Sequence, residues 1–193
     1  MLKPSPKAIH IYLESNPNPN SLKFVVNEML VPEGMSFDFP DAARALDAPL
    51  ALELFGYPFV ERVFYASNFV TVTKTDDVEW IEVQEKLRRH IQQFLEDGKL
   101  ILDVNAPAEN QQEETEIIKK IKNILDEYIR PAVEQDGGAI TFHSYQDIEK
   151  KVTVMLQGSC SGCPSSTITL KAGIENLLKR MMPEEVNEVE ALG

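Results

Sequence analysis

The stretch VTVMLQGSCSGCPSS, residues 152–166, predicts a strand, a tight loop and the start of a helix. The strand is indicated by alternating apolar side chains at Val152, Val154 and Leu156. Two glycines make the loop permissive, and Pro164 fits the first position of the helix that follows. The only two cysteines of the chain, Cys160 and Cys163, both lie in this loop.

The residues on either side of the loop predict a small α+β domain over residues 117–193, with the element order α-β-β-α-β. Its predicted elements are a helix at 117–128, strands at 139–145 and 152–156, a helix at 164–182 and an edge strand at 186–189. Thr115 is the expected N-cap of the first helix, and Pro131 is expected to stop it. One face of the second helix is predicted from Ile168, Ala172, Ile174, Leu178 and Met181.

A change of composition at DVNAPAENQQEETE, residues 103–116, predicts a flexible linker. The preceding residues, 1–102, predict another small α+β domain. Its predicted elements are strands at 9–13 and 22–26, a helix at 48–55, strands at 62–66 and 69–74, and a helix at 78–97. Ser67-Asn68 indicates a hairpin, and Trp80, Ile81 and Leu87 begin the apolar stripe of the last helix. The predicted fold class is therefore two small α+β domains joined by a flexible linker.

The composition argues against several classes of protein. Nineteen Lys and Arg face thirty-one Asp and Glu, and the net charge of −12 has the wrong sign for binding nucleic acid. No apolar run is long enough to span a membrane, so no membrane association is expected. Two cysteines are too few for a disulfide scaffold, and the first residues do not resemble a secretory leader. We therefore expect a cytoplasmic protein, or one of an organelle matrix if a presequence has been removed.

The C-x-x-C spacing of Cys160 and Cys163 lets both sulfurs converge on one point. Cys163 is expected at or next to the N-cap of a helix, where the positive end of the helix dipole favours the thiolate. Three interpretations compete. The pair is structural, or it forms a dithiol redox centre, or it binds a metal. The flanking Gly, Ser and Pro make the first the least favoured, because structural cysteines lie more often within apolar runs.

A metal site needs more ligands than one chain provides. Two thiolates are half of a four-cysteine site, and His10, His90 and His143 are scattered without ligand spacing. A second copy of the chain would complete the set, so the metal interpretation predicts a homodimer with the site on its two-fold axis. Such a site, held by exposed loops at an interface, would be labile and would suit a carrier.

These residues resemble a known family. In the second half, DGG (136–138), GSCSGCPSS (158–166), TLK (169–171) and GIE (173–175) are similar to the C-terminal NifU-like domain of Nfu-type iron-sulfur cluster proteins. In the first half, NPNPNSLKF (16–24), residues 49–55, VF (63–64) and FVTVTK (69–74) resemble the separate Nfu N-terminal domain. Together the two resemblances cover nearly the whole chain.

The resemblance implies a cluster scaffold or carrier and not an enzyme. It implies that Cys160 and Cys163 of two protomers hold a shared [4Fe-4S] cluster, which passes to apo iron-sulfur target proteins. A thiol-disulfide redox protein that uses the same pair is the alternative. The chain departs from the family in two places: Ala139 replaces a common acidic residue, and the turn at 147–151 lacks a glycine that family members often have.

Overall fold

The computed structural model describes residues 8–102, 115–161 and 164–193, without the side chains of residues 164–167. The described residues form two compact units, one holding 8–15 and 19–102, the other 16–18, 115–161 and 164–193. Both units mix helices with strands, so the predicted α+β class is confirmed. The predicted linker at 103–116 lies outside the described residues except for its last two.

The first unit is built on an antiparallel sheet of five strands in the order β1-β2-β5-β4-β3. The strands are β1 (Ile11–Ser15), β2 (Ser21–Val26), β3 (Ser36–Phe39), β4 (Val60–Ala66) and β5 (Phe69–Lys74). The helices are α1 (Pro49–Leu54) and α2 (Trp80–Glu96), and a short 3₁₀ helix spans Ala42–Arg44. The predicted hairpin at Ser67-Asn68 is confirmed, because Ala66 pairs with Phe69 across the turn.

The apolar stripe of α2 differs from the prediction at one position. Val83, Leu87 and Ile91 are buried at a four-residue spacing, which places them on one face of the helix. Ile81 was predicted on this stripe but is 79% exposed. It lies two residues before Val83 and therefore points to the opposite side of the helix.

The second unit has a three-stranded sheet in the order β6-β7-β8. Its elements are α3 (Glu116–Ile124), a π-helical turn (Leu125–Ile129), α4 (Arg130–Gln135), β6 (Gly138–Gln146), β7 (Lys151–Gly158), α5 (Pro164–Met181) and β8 (Glu188–Leu192). Strands β6 and β7 are antiparallel, and β8 runs parallel to β7 after the crossover through α5. The predicted α-β-β-α-β order is confirmed.

The prediction that Pro131 stops the first helix of this unit is wrong, because the chain remains helical through it. The Arg130 amide donates to the Leu125 carbonyl, five residues back, and the helix widens into the π-helical turn. A proline ring clashes with the carbonyl four residues before it, and a wider turn relieves that clash. The chain then continues as α4 with Pro131 in its first turn.

The predicted N-cap of α3 is confirmed, since Thr115 Oγ1 accepts from the Ile118 amide at 3.3 Å.

The buried face of α5 also differs from the prediction. Ile174, Leu178 and Met182 are buried at a four-residue spacing. Ile168 is 70% exposed, Met181 is more than one-third exposed, and Ala172 is exposed as well. Ile168 and Ala172 precede Ile174 by six and two residues, which turns both away from the buried face.

Glu175 joins α5 to β8. Its carboxylate accepts from Lys179 Nζ at 2.6 Å and from the Val189 amide at 3.1 Å. These two hydrogen bonds, that of Lys179 first, hold the pKa of Glu175 below its ordinary value. The ionised carboxylate therefore stabilises the packing of helix on strand.

We expect this contribution to depend on pH. The pKa of Glu175 is lower in the folded chain, so the stabilisation is present above the unfolded pKa and is lost as pH falls through the folded pKa. Glu175→Gln should flatten the fall in thermal midpoint between about pH 5 and pH 3. Thermal unfolding across this range checks it, with the exposed Glu184→Gln as the control. Equal slopes for Glu175→Gln and wild type would contradict the assignment.

The turn between β6 and β7 carries a strained residue. Lys150 has a φ of +51°, and it lies in the turn where the sequence lacks the glycine that the resembled family often has. A side chain in this region costs about 1–2 kcal/mol. The Lys150 carbonyl accepts from the Asn187 amide at 2.8 Å, and this bond fixes the turn against the segment before β8.

Lys150→Gly should therefore stabilise the second unit by up to about 1 kcal/mol, after allowance for the greater freedom of glycine in the unfolded chain. Lys150→Ala should not, because alanine keeps the Cβ that causes the strain. Urea unfolding of the full chain and both variants distinguishes the effect of the backbone from that of the lysine charge. A gain of the same size in both variants would show that the strain is not the cause.

Candidate metal-binding site

The cysteine loop begins where β7 ends, beside the start of β6. Gly158, the last residue of β7, pairs with Gly138, the first residue of β6. Gly158 has a φ of +64° and Gly137 a φ of +77°, a backbone region that favours glycine. The Ser161 amide donates to the Gly158 carbonyl at 3.1 Å and closes a tight turn. Cys160 lies within this turn.

Ser159 ties the loop to the turn before β6. Its amide donates to the Gly137 carbonyl at 3.3 Å, and its hydroxyl donates to the Asp136 carbonyl. The two motifs DGG and GSC are more than twenty residues apart in sequence, and these bonds make them one structural feature. This contact could not be predicted from the sequence, because each motif alone indicates only a turn.

The thiol of Cys160 is held inside the unit. Cys160 is 5% exposed and belongs to the same core as Ile140, Leu156 and Ile174. A Cβ atom at Gly138 would lie 2.8 Å from Cys160 Sγ and 2.6 Å from the Gln157 carbonyl oxygen. The predicted exposed loop is therefore wrong at Cys160: the left-handed backbone at Gly158 turns the chain back against β6.

Two serine hydroxyls flank Cys160, and among the described residues only that of Ser159 has a hydrogen-bond partner. Ser159 Oγ lies 3.9 Å from Cys160 Sγ in addition to its bond to the Asp136 carbonyl. Ser161 Oγ is buried and has no hydrogen-bond partner among the residues that the structure describes. Neither hydroxyl was predicted as a functional group, and no pattern in the sequence distinguishes the two.

Cys163, the second predicted ligand, lies outside the described residues. The helix predicted to follow it does begin at Pro164. Within the described ranges, no group of three or more His, Cys, Asp and Glu side chains could hold a metal. His90 instead contacts Tyr57 Oη and Glu53 Oε2, each at 2.8 Å, in the first unit.

None of the described helices combines the length and the apolar character that crossing a bilayer requires.

Both halves of the chain match family models. Residues 11–98 match the model described as scaffold protein Nfu/NifU N terminal, and residues 121–190 match the NifU-like domain. The two matched segments follow the order in which the sequence resemblance places the two domains.

Several curated proteins are similar over most of the chain. NifU-like protein 4, mitochondrial, of Arabidopsis thaliana is 39% identical over 183 residues, which cover 92% of this chain and 64% of that protein. The NFU1 iron-sulfur cluster scaffold homolog, mitochondrial, of Drosophila willistoni is 39% identical over 193 residues, which cover 98% and 66%. The chain thus spans slightly less than two thirds of the length of these relatives. A solution NMR structure of a NifU-like protein from Saccharomyces cerevisiae is 25% identical, with a TM-score of 0.48, and covers 54% of this chain and 93% of that one.

The close approach of Gly138 to Cys160 gives a prediction about stability. Gly138→Ala should lower the unfolding free energy by about 1–3 kcal/mol, because the new methyl group meets both a backbone oxygen and the thiol sulfur. Gly173→Ala is the matched control, since its Cβ meets nothing within 4 Å and alanine favours the interior of α5. Urea unfolding of both variants should give changes of opposite sign. A neutral Gly138→Ala would show that the loop lies farther from β6.

Proposed function

Because this chain belongs to the Nfu-type, NifU-like family of iron-sulfur cluster proteins, we propose that it is a scaffold and carrier for an iron-sulfur cluster. The cluster is its cargo, and apo iron-sulfur proteins are the proposed recipients. The observation that carries the proposal is the C-x-x-C loop at the junction of β7 and α5, where Cys160 lies so close to Gly138 that a Cβ atom there would come within 2.8 Å of its sulfur.

The proposed ligands are Cys160 and Cys163. Thiolate sulfur is the usual protein ligand of iron-sulfur clusters, and a [4Fe-4S] cluster takes four such ligands. The chain has two cysteines. Its described residues contain no group of three or more His, Cys, Asp and Glu side chains that could hold a metal. This count supports a homodimer in which two chains share one cluster.

Loading such a site releases protons, because thiols bind iron as thiolates. The positive end of the α5 dipole would stabilise negative charge on sulfur near the start of that helix. Cluster binding should therefore tighten as pH rises toward the range where thiols ionise.

Transfer is proposed to proceed by exchange of thiolates. A thiolate of the target binds iron while an iron–sulfur bond to the carrier breaks, and the carrier sulfur leaves as a thiolate without any change of oxidation state. Cys160 must come out of the core for this exchange. The turn that holds its loop is closed by the bonds of Ser159 and Ser161, and the Ser159 carbonyl also accepts from Asn18 Nδ2 at 3.1 Å. Release of Cys160 requires these bonds to open locally, without unfolding of the whole unit.

Residues 1–102 are proposed as a domain that recognises partners or positions the cluster domain, residues 117–193, across the linker at 103–116. The net charge of −12 would favour targets with basic surfaces around their cysteines. The proposed location is a reducing compartment, either the cytoplasm or an organelle matrix. Relatives that are named mitochondrial support a location in an organelle matrix.

Anaerobic reconstitution with iron and sulfide tests the proposal. The wild-type chain should gain visible absorbance, two irons per chain and the mass of two chains. Cys160→Ser and Cys163→Ser should each lose most of the bound iron, because a hydroxyl is a poor substitute for a thiolate. The matched control is Ser144→Ala on β6, which should load like wild type.

Two results would contradict the proposal. A chain that stays colourless and monomeric yet reduces disulfides would favour the thiol-disulfide alternative. Full cluster content in either cysteine variant would show that the ligands lie elsewhere.

A further inference from the structure

Ser161, which lies between the two proposed ligands in the sequence, has a buried hydroxyl group. The residue is 6% exposed, and no partner for its Oγ exists in the part of the chain that the structure describes. Buried hydroxyls in folded proteins nearly always have a hydrogen-bond partner, and one without a partner destabilises the fold. Among the described residues, therefore, no acceptor takes the hydroxyl proton of Ser161, the neighbour of Cys160 in sequence.

Ser159, on the other side of Cys160, provides a contrast. It is equally buried, but its hydroxyl proton is already donated to the Asp136 carbonyl. A serine has one hydroxyl proton, so toward Cys160 Sγ, 3.9 Å away, Ser159 can only accept from the thiol. That contact is lost when the thiol becomes a thiolate. Of the two flanking hydroxyls, only Ser161 can supply a proton to sulfur.

We propose that the Ser161 hydroxyl donates a hydrogen bond to sulfur when the cluster is bound, either to a cysteine ligand or to the cluster itself. Ser161 is thus a positioning residue and not a ligand. The inference rests on the proposed function, because the sulfur becomes a strong acceptor only when loading removes the thiol protons. Hydrogen bonds to the sulfurs help to set the reduction potential of iron-sulfur clusters, and their loss weakens metal binding.

Substitution of the two serines should therefore have opposite effects in the empty chain and in the cluster-loaded dimer. Ser161→Ala removes a hydroxyl for which the described residues offer no partner, so the unfolding midpoint of the empty chain should stay the same or rise. Ser159→Ala removes a bond to the Asp136 carbonyl, so it should lower that midpoint. In the loaded dimer the order should reverse, with the greater loss of cluster retention in Ser161→Ala.

The experiment compares full-length wild type, Ser161→Ala, Ser159→Ala and Ser161→Thr after anaerobic reconstitution. Ser161→Ala should lose its cluster to an iron chelator about 10-fold faster than wild type and show a more negative reduction potential. Ser161→Thr, which keeps a hydroxyl, should restore both. Ser159→Ala should leave the potential unchanged.

A measurement on the wild-type dimer avoids any failure of a variant to fold. After exchange into D₂O, an exchangeable deuteron should couple to the reduced cluster in pulsed EPR, and this coupling should be absent in Ser161→Ala.

If wild type binds no cluster, the proposed function fails. If wild type binds one but Ser161→Ala matches it in lifetime, potential and deuteron coupling, the role of Ser161 is overturned and the function stands. A lowered midpoint for empty Ser161→Ala would also overturn it, by showing that the hydroxyl has a structural partner.

Discussion

The close contact between Gly138 and the Cys160 sulfur is the constraint on which the second unit depends. A Cβ atom at position 138 would lie within 2.8 Å of that sulfur, so the start of β6 and the end of β7 can meet only through glycine. This meeting fixes the register of Gly138 against Gly158, and with it the pairing of the two long strands. The same contact buries the thiol, so one steric fact determines both the sheet and the environment of the proposed ligand.

The sequence predicted the element types of both units and their order, because alternation, helical periodicity and turn residues are local signals. It failed where tertiary packing decides. Ile81 and Ile168 were predicted on the apolar stripes of their helices, yet both are exposed, and the helix faces that pack carry Val83 and Ile174. Pro131 indicated a helix end, but the π-helical turn before it lets the helix continue. Strand β3 was missed since SFDF shows no long apolar alternation.

The cysteine loop and its flanking elements could be predicted from the sequence, but the environment of Cys160 could not. The C-x-x-C pair with its glycines and the proline after it marked the loop and the start of α5. The burial of Cys160 depends on a glycine that lies more than twenty residues earlier, and no local pattern encodes that distance. The different roles of Ser159 and Ser161 depend on which backbone carbonyl lies within reach, which follows only from the paired strands.

Glu175 has a consequence for how copies of this chain can associate. An open strand at the border of a sheet offers bare amides to which a strand of another molecule can add. Along β8, the Val189 amide is already bonded to a carboxylate from α5. A negatively charged side chain over that border repels the carbonyl oxygens of an incoming strand. Addition of another strand at Val189 is thereby disfavoured, although β8 lies at the border of the sheet.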